Sequence, residues 1–252
     1  VAIIRLQKRV TQSIVFVLFL STPIILYLSR PLLRKGAASR TSLAGERVVQ
    51  HPIPFGKLRQ QLTLEYIRLH YDPRAQDIFI VPRMIVLHWT DSATLRSALS
   101  EFDPAIVSGR SALLEAEGRV NVSAQFIVDR DGTIYQLMPA NWMARHTIGL
   151  NRVAIGIENV GGRDWPLTTA QTDSDARLIR QLVHRFPDIY YLIGHYEYLN
   201  FRATALWEER DRSYLLEKTD PGREYMARVR MKVIDLNLLD HYVMRNARGT
   251  SP

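Results

Sequence analysis

The chain has no cysteine among its 252 residues. That absence excludes disulfide staples, a cysteine nucleophile, thiolate metal ligands and a lipid-modified cysteine. It leaves the redox compartment open. The first 40 residues contain no acidic side chain but carry Arg5, Lys8, Arg9, Arg30, Arg34, Lys35 and Arg40. The formal charge of +8 is therefore concentrated there, and the rest of the chain holds 26 basic against 25 acidic residues. A nucleic-acid binder carries its basic excess on the folded domain. Here the excess flanks an apolar segment, so no nucleic-acid partner is expected and anionic lipid headgroups are.

A third absence is charge between Val10 and Ser29, where the centre reads Ile14-Val15-Phe16-Val17-Leu18-Phe19-Leu20. About 20 residues cross a bilayer as one helix, and Pro23 is tolerated in such a span. The apolar core is long for a cleaved signal, and Ala37-Ala38 lies beyond Arg34-Lys35, a poor flank for cleavage. The segment lacks the amphipathicity of a buried surface helix. An uncleaved N-terminal transmembrane helix is expected. Basic residues on both sides leave its orientation undecided. Internal repeats and low-complexity blocks are also missing.

What is present, at 46% hydrophobic, is enough to bury a full core. The expected organisation is a membrane anchor over 1–35, a linker and lead-in over 36–77, a catalytic domain over 78–236 and a tail over 237–252. β-Branched runs predict strands at Met84–Leu87, Ala124–Val128, Ile134–Met138, Ala154–Glu158 and Tyr190–Ile193. Asp129-Arg130-Asp131-Gly132 predicts a hairpin turn. Helices are predicted near 93–101, 169–186 and 222–235, the second stopped by Pro187. The fold class is α/β, a mixed central sheet flanked by helices. The connections 103–121 and 199–217 have no strand character and are expected to wall or cover a site.

Candidate chemistry lies at strand ends. His88 follows Met84-Ile85-Val86-Leu87, and His195 follows Tyr191-Leu192-Ile193-Gly194. With Asp220 they make three of the four ligands of an open zinc site. Lys218 lies two residues before that carboxylate, and Glu158 ends a third apolar run. Each has a plainer reading. A histidine after an apolar run is commonly a hydrogen-bonded core residue, and aspartate before proline is an ordinary helix start. Glu158 and Lys218 could be solvated charges.

Read together, six blocks narrow the choice: His88-Trp89-Thr90; Val122-Ser123-Ala124-Gln125-Phe126-Ile127-Val128-Asp129-Arg130-Asp131-Gly132-Thr133-Ile134; Ala144-Arg145-His146; Ile155-Gly156-Ile157-Glu158; Ile193-Gly194-His195; and Lys218-Thr219-Asp220-Pro221-Gly222. From His88 to Gly222 the chain resembles the zinc-dependent N-acetylmuramoyl-L-alanine amidases, which share a fold with phage T7 lysozyme and the peptidoglycan recognition proteins. The resemblance implies a peptidoglycan hydrolase cleaving the amide between N-acetylmuramic acid and L-alanine. It implies zinc on His88, His195 and Asp220, in the branch with aspartate as third ligand. Glu158 matches the family's catalytic glutamate and Lys218 its catalytic lysine. His146, Trp89 and Asn159 are expected to contact substrate. Gln125 stands where many relatives have histidine, and the segment before Lys218 is longer than in compact relatives.

Peptidoglycan or a muropeptide is thus the expected partner, beside the membrane; protein partners are unspecified. The expected location is the cytoplasmic membrane, single-pass, with the catalytic domain facing outward. The alternatives are a muropeptide sensor that does not cleave, and a membrane-anchored envelope scaffold with 199–217 as its docking surface.

Overall fold

The computed structural model describes residues 48–241. The predicted membrane span and most of the expected C-terminal tail lie outside them. Among the described residues, no helix is long and apolar enough to cross a membrane.

One six-stranded sheet organises the molecule. In chain order its strands are β1 (Val49–Gln50), β2 (Met84–Leu87), β3 (Phe126–Val128), β4 (Ile134–Gln136), β5 (Ala154–Asn159) and β6 (Tyr191–Gly194). Their spatial order is β1-β4-β3-β5-β2-β6. All pairings are parallel except β3 with β4. That hairpin turns through Asp129–Thr133, closed by the Asp129 amide on the Thr133 carbonyl at 2.9 Å. Every residue of β2, β5 and β6 is buried. This is why these strands read as continuous apolar runs: a parallel strand covered on both faces has no solvent side to alternate with.

The helices are α1 (Lys57–His70), α2 (Leu95–Phe102), α3 (Ala112–Ala116), α4 (Thr169–Arg185) and α5 (Arg223–Lys232). α4 begins with a capping box between Thr168 and Gln171 and buries Leu178, Ile179 and Leu182. α2 is capped by Thr94, whose side chain accepts from the Ser97 amide.

The register of the parallel strands matters most for function. Leu87 pairs with both Ile157 and Gly194. The next residue on each strand is His88, Glu158 or His195, so three candidate groups leave the sheet side by side at one end.

Two elements lie upstream of residue 78. β1 extends the sheet alongside β4, and α1 buries Leu62, Tyr66 and Ile67 in the main core. The lead-in thus shares the core of the sheet that follows. At the other end, Leu239 exchanges backbone hydrogen bonds with Tyr190 and Leu192 beside β6.

Candidate active site

His88 Nδ1 lies 3.0 Å from His195 Nδ1 and 3.2 Å from Asp220 Oδ2. His195 Nδ1 is 3.1 Å from the same carboxylate oxygen. All three residues are buried. The Asp220 carbonyl accepts the Tyr196 amide at 3.0 Å, which carries the aspartate back to the residue after His195. Asp220 does not cap a helix: α5 starts at Arg223 with Gly222 as its N-cap. The plainer reading of the Asp-Pro pair therefore does not apply.

Hydrogen bonds around His146 assign the tautomers. His146 Nε2 is 3.4 Å from the Ala154 carbonyl, which accepts only, so that nitrogen carries the proton. His146 Nδ1 then accepts from Thr147 Oγ1 at 2.8 Å and from His88 Nε2 at 3.0 Å. His88 is left with a lone pair on Nδ1, aimed at His195 and Asp220. A second residue that orients a ligand ring in this way is typical of metal sites. Gly156 makes room for it, since a Cβ there would fall 2.9 Å from the His146 ring.

Electrostatics favour the same protonation states. Burial, with His195 beside it, lowers the His88 imidazole to about 4, and burial holds His146 well below its ordinary value. Burial pushes the Asp220 carboxyl up, but His195 and His88 outweigh it and hold the group below the usual carboxylate range. A carboxylate oxygen and the His88 lone pair therefore converge with His195 Nδ1 on one point.

These residues fit a zinc ion. Donors about 2.0–2.1 Å from a tetrahedral ion stand roughly 3.3 Å apart, close to the 3.0–3.2 Å found here. Among the described residues, this is the group of histidine, aspartate and glutamate side chains that could hold a metal.

Glu158, Lys218, Trp89 and His146 line one cleft of about 260 Å³ with the three candidate ligands. Glu158 is 9% exposed. Its Oε2 is buried with no hydrogen-bond partner among the described residues. Burial and then Asp220 push its carboxyl well above the ordinary range, with Arg110 and Lys218 pulling partly back. The cleft has two walls. One is the 103–121 connection, from which Arg110 and Leu114 face inward; the other is the 199–217 connection, with Tyr214 and Leu216.

One expectation needs correction. Asn159 is not a substrate contact. It is 0% exposed, its Nδ2 donates to the His88 carbonyl and Asp175 Oδ2, and its Oδ1 accepts from the Tyr225 hydroxyl. Side chains alternate along a strand, so Glu158 and Asn159 face opposite sides. The 199–217 connection is tied to the body at its centre, although Arg210 is exposed. Glu209 is buried against His70 at 3.0 Å, the Glu208 amide donates to Gly149 and the Arg210 amide to His70.

Three residues missed in the sequence shape this site. The Tyr198 hydroxyl donates to the Leu216 carbonyl at 2.6 Å and accepts its amide at 2.9 Å, folding the long connection back toward His195. Buried Arg145 donates to the carbonyls of Leu114, Gly118 and Val120 and to the Tyr214 hydroxyl, joining the two walls. Gln125, which stands where many relatives have histidine, spans the Trp142 carbonyl and the Gly156 amide with its side-chain amide at 2.8 and 2.7 Å.

Residues 79–223 match the N-acetylmuramoyl-L-alanine amidase family. This segment is more than half of the chain, and the chain belongs to that family: it is a peptidoglycan amidase. Solved structures similar to it include the endolysin amidase LysCS from Clostridium intestinale URNW, at 22% identity, covering 64% of this chain and 86% of that one with a TM-score of 0.41. AmpD is also 22% identical, covering 75% and 95% with a TM-score of 0.44. The Ph2119 endolysin, from a Thermus scotoductus bacteriophage, is 18% identical, covering 74% and 99% with a TM-score of 0.43. No curated protein sequence matches the chain.

Proposed function

We propose that the chain hydrolyses the amide between N-acetylmuramic acid and L-alanine with a zinc ion held by His88, His195 and Asp220. The observation that carries this reading is the convergence of three donor atoms within 3.2 Å of one another in the cleft that holds Glu158. Zinc, when bound, supplies positive charge that lowers the pKa of water from about 16 toward about 7 and polarises a carbonyl. It also offsets the burial and the Asp220 charge that oppose ionisation of Glu158.

Glu158 takes the proton of the attacking water. Water oxygen bonds to the lactyl carbonyl carbon, and the excess charge collects on the carbonyl oxygen. Lys218 faces that charge from the second wall. Losing one such donor costs about 3–4 kcal/mol of transition-state stabilisation. Glu158 then returns its proton to the departing nitrogen as the carbon–nitrogen bond breaks. The products are a muramoyl carboxylate and a stem peptide with a free amino group. His146 keeps the His88 lone pair on the metal side, and Trp89 lines the mouth where substrate enters.

The proposed organisation has a membrane anchor over 1–35, with the catalytic body on the outer side of the cytoplasmic membrane, where peptidoglycan lies. The uncharged run Val10–Ser29 and its basic flanks support it.

The test is digestion of purified muropeptides by the full chain, with zinc and with chelator, scored by release of stem peptide. Zinc-dependent release that is lost in His88→Ala and Glu158→Ala supports the enzyme. Tight binding without release supports a sensor instead.

A further inference from the structure

His70 closes α1 and lies upstream of the segment matching the amidase family, yet it touches both walls of the cleft. Its Nδ1 is 3.0 Å from Glu209 Oε1, and its Nε2 is 2.8 Å from the Glu117 carbonyl. Its own carbonyl accepts the Arg210 amide at 3.0 Å. Glu117 follows α3, which carries Leu114 into the cleft, and Glu209 belongs to the connection that carries Tyr214 and leads to Lys218.

Both ring nitrogens face acceptors. A neutral imidazole has one N–H and one lone pair, so it can serve only one of them. The other contact would set lone pair against lone pair in a place where His70 is 1% exposed and the Glu209 side chain 0%. An imidazolium serves both. Glu209 Oε1 also accepts the Asp211 amide at 2.8 Å, a second donor that suits an ionised carboxylate.

We propose that His70 is a positioning residue for substrate. Held as an imidazolium, it clasps the 103–121 wall through Glu117 and the 199–217 wall through Glu209, and so sets the width of the cleft. It touches neither the reacting atoms nor the candidate metal ligands. The groups facing it are consistent with a retained charge. Besides Glu209, the Glu117 carboxylate lies 4.0 Å from Nε2, and Asp211 is within electrostatic reach. Tyr66, Tyr71 and Tyr214 surround the ring at 4.2, 6.1 and 5.2 Å between centroids. Arg145 stands over the Tyr66 ring.

The kinetic part of the test rests on the amidase reading; the spectroscopic part does not. In ¹⁵N-histidine-labelled full chain at pH 7, the resonance absent from His70→Gln should have the shifts of two protonated nitrogens. His70→Gln and Glu209→Gln should each raise the KM for muropeptide about tenfold, the size of one charge-assisted hydrogen bond. Their kcat should stay within about twofold and their zinc content unchanged, the pattern of lost uniform binding. The double variant should be no worse than either single one. A neutral His70 in the wild-type spectrum overturns the proposal, whatever the variants do, and so does an unchanged KM in folded His70→Gln. A wild-type chain that cleaves nothing refutes the amidase reading alone, because the spectrum still decides the charge.

Discussion

Glu158→Gln should move stability and activity in opposite directions. Glu158 is buried at the end of β5 with one oxygen unpartnered, and burial first, then Asp220, raises its pKa well above 4.5. A carboxyl raised in the folded state stabilises the fold below its ordinary pKa. That contribution is lost as pH climbs through the folded value. Above the ordinary carboxyl pKa the group therefore opposes folding of the metal-free protein. Glutamine keeps the shape and removes the charge. An unpartnered buried polar group costs about 1–3 kcal/mol and a charged one more; the amide keeps the first cost and sheds the excess, and each kcal/mol moves Tm by about 2–4 °C in a domain of this size. In chelator, Glu158→Gln should melt several degrees above wild type at pH 8, with the gain shrinking toward pH 4. With zinc it should lose roughly 10²–10⁴ in kcat, the usual contribution of a general acid–base group. Calorimetry across pH and stem-peptide release measure the two effects. The reasoning is refuted if the variant melts no higher than wild type at pH 8, or if it keeps more than about a tenth of kcat.

His146→Ala should weaken zinc about 10–100-fold in chelator competition, as expected for a residue that orients a ligand, and Asp220→Ala should weaken it further. Because burial lowers His88 to about 4, the unfolded chain takes a proton on this residue before the folded chain does. Metal-free stability in urea should therefore fall as pH drops from about 6.5 toward about 4. Gly149 has φ +77°, and a Cβ there would come 2.6 Å from the Trp207 ring. Gly149→Ala should cost about 1–3 kcal/mol in denaturant melts and raise KM by loosening the 199–217 wall.

The buried parallel strands were legible because their β-branched runs have no solvent face to interrupt them, and β2 agrees with its predicted bounds to the residue. Their register was not legible. Nothing local in Leu87, Ile157 or Gly194 says that they are neighbours, so in the sequence the convergence of the residues that follow rests on a family likeness alone. α1 escaped notice because it buries Arg59, Thr63 and His70 along with its apolar residues, which blurs the helical periodicity. Arg59 is spent on the Phe102, Asp103 and Pro104 carbonyls. Glu209 carries no local signal of burial: it stands among charged neighbours, and its partner His70 is 139 residues away. Asn159 was misjudged through its neighbour, since adjacent strand residues point to opposite faces.

A zinc ion between His88, His195 and Asp220 is central to the proposed hydrolysis. Anomalous diffraction at the zinc edge, on crystals of protein purified without chelator, addresses that directly. A peak is expected about 2.0–2.2 Å from His88 Nδ1, His195 Nδ1 and Asp220 Oδ2. A cleft without such a peak in zinc-replete crystals, or a peak bound elsewhere, would contradict it.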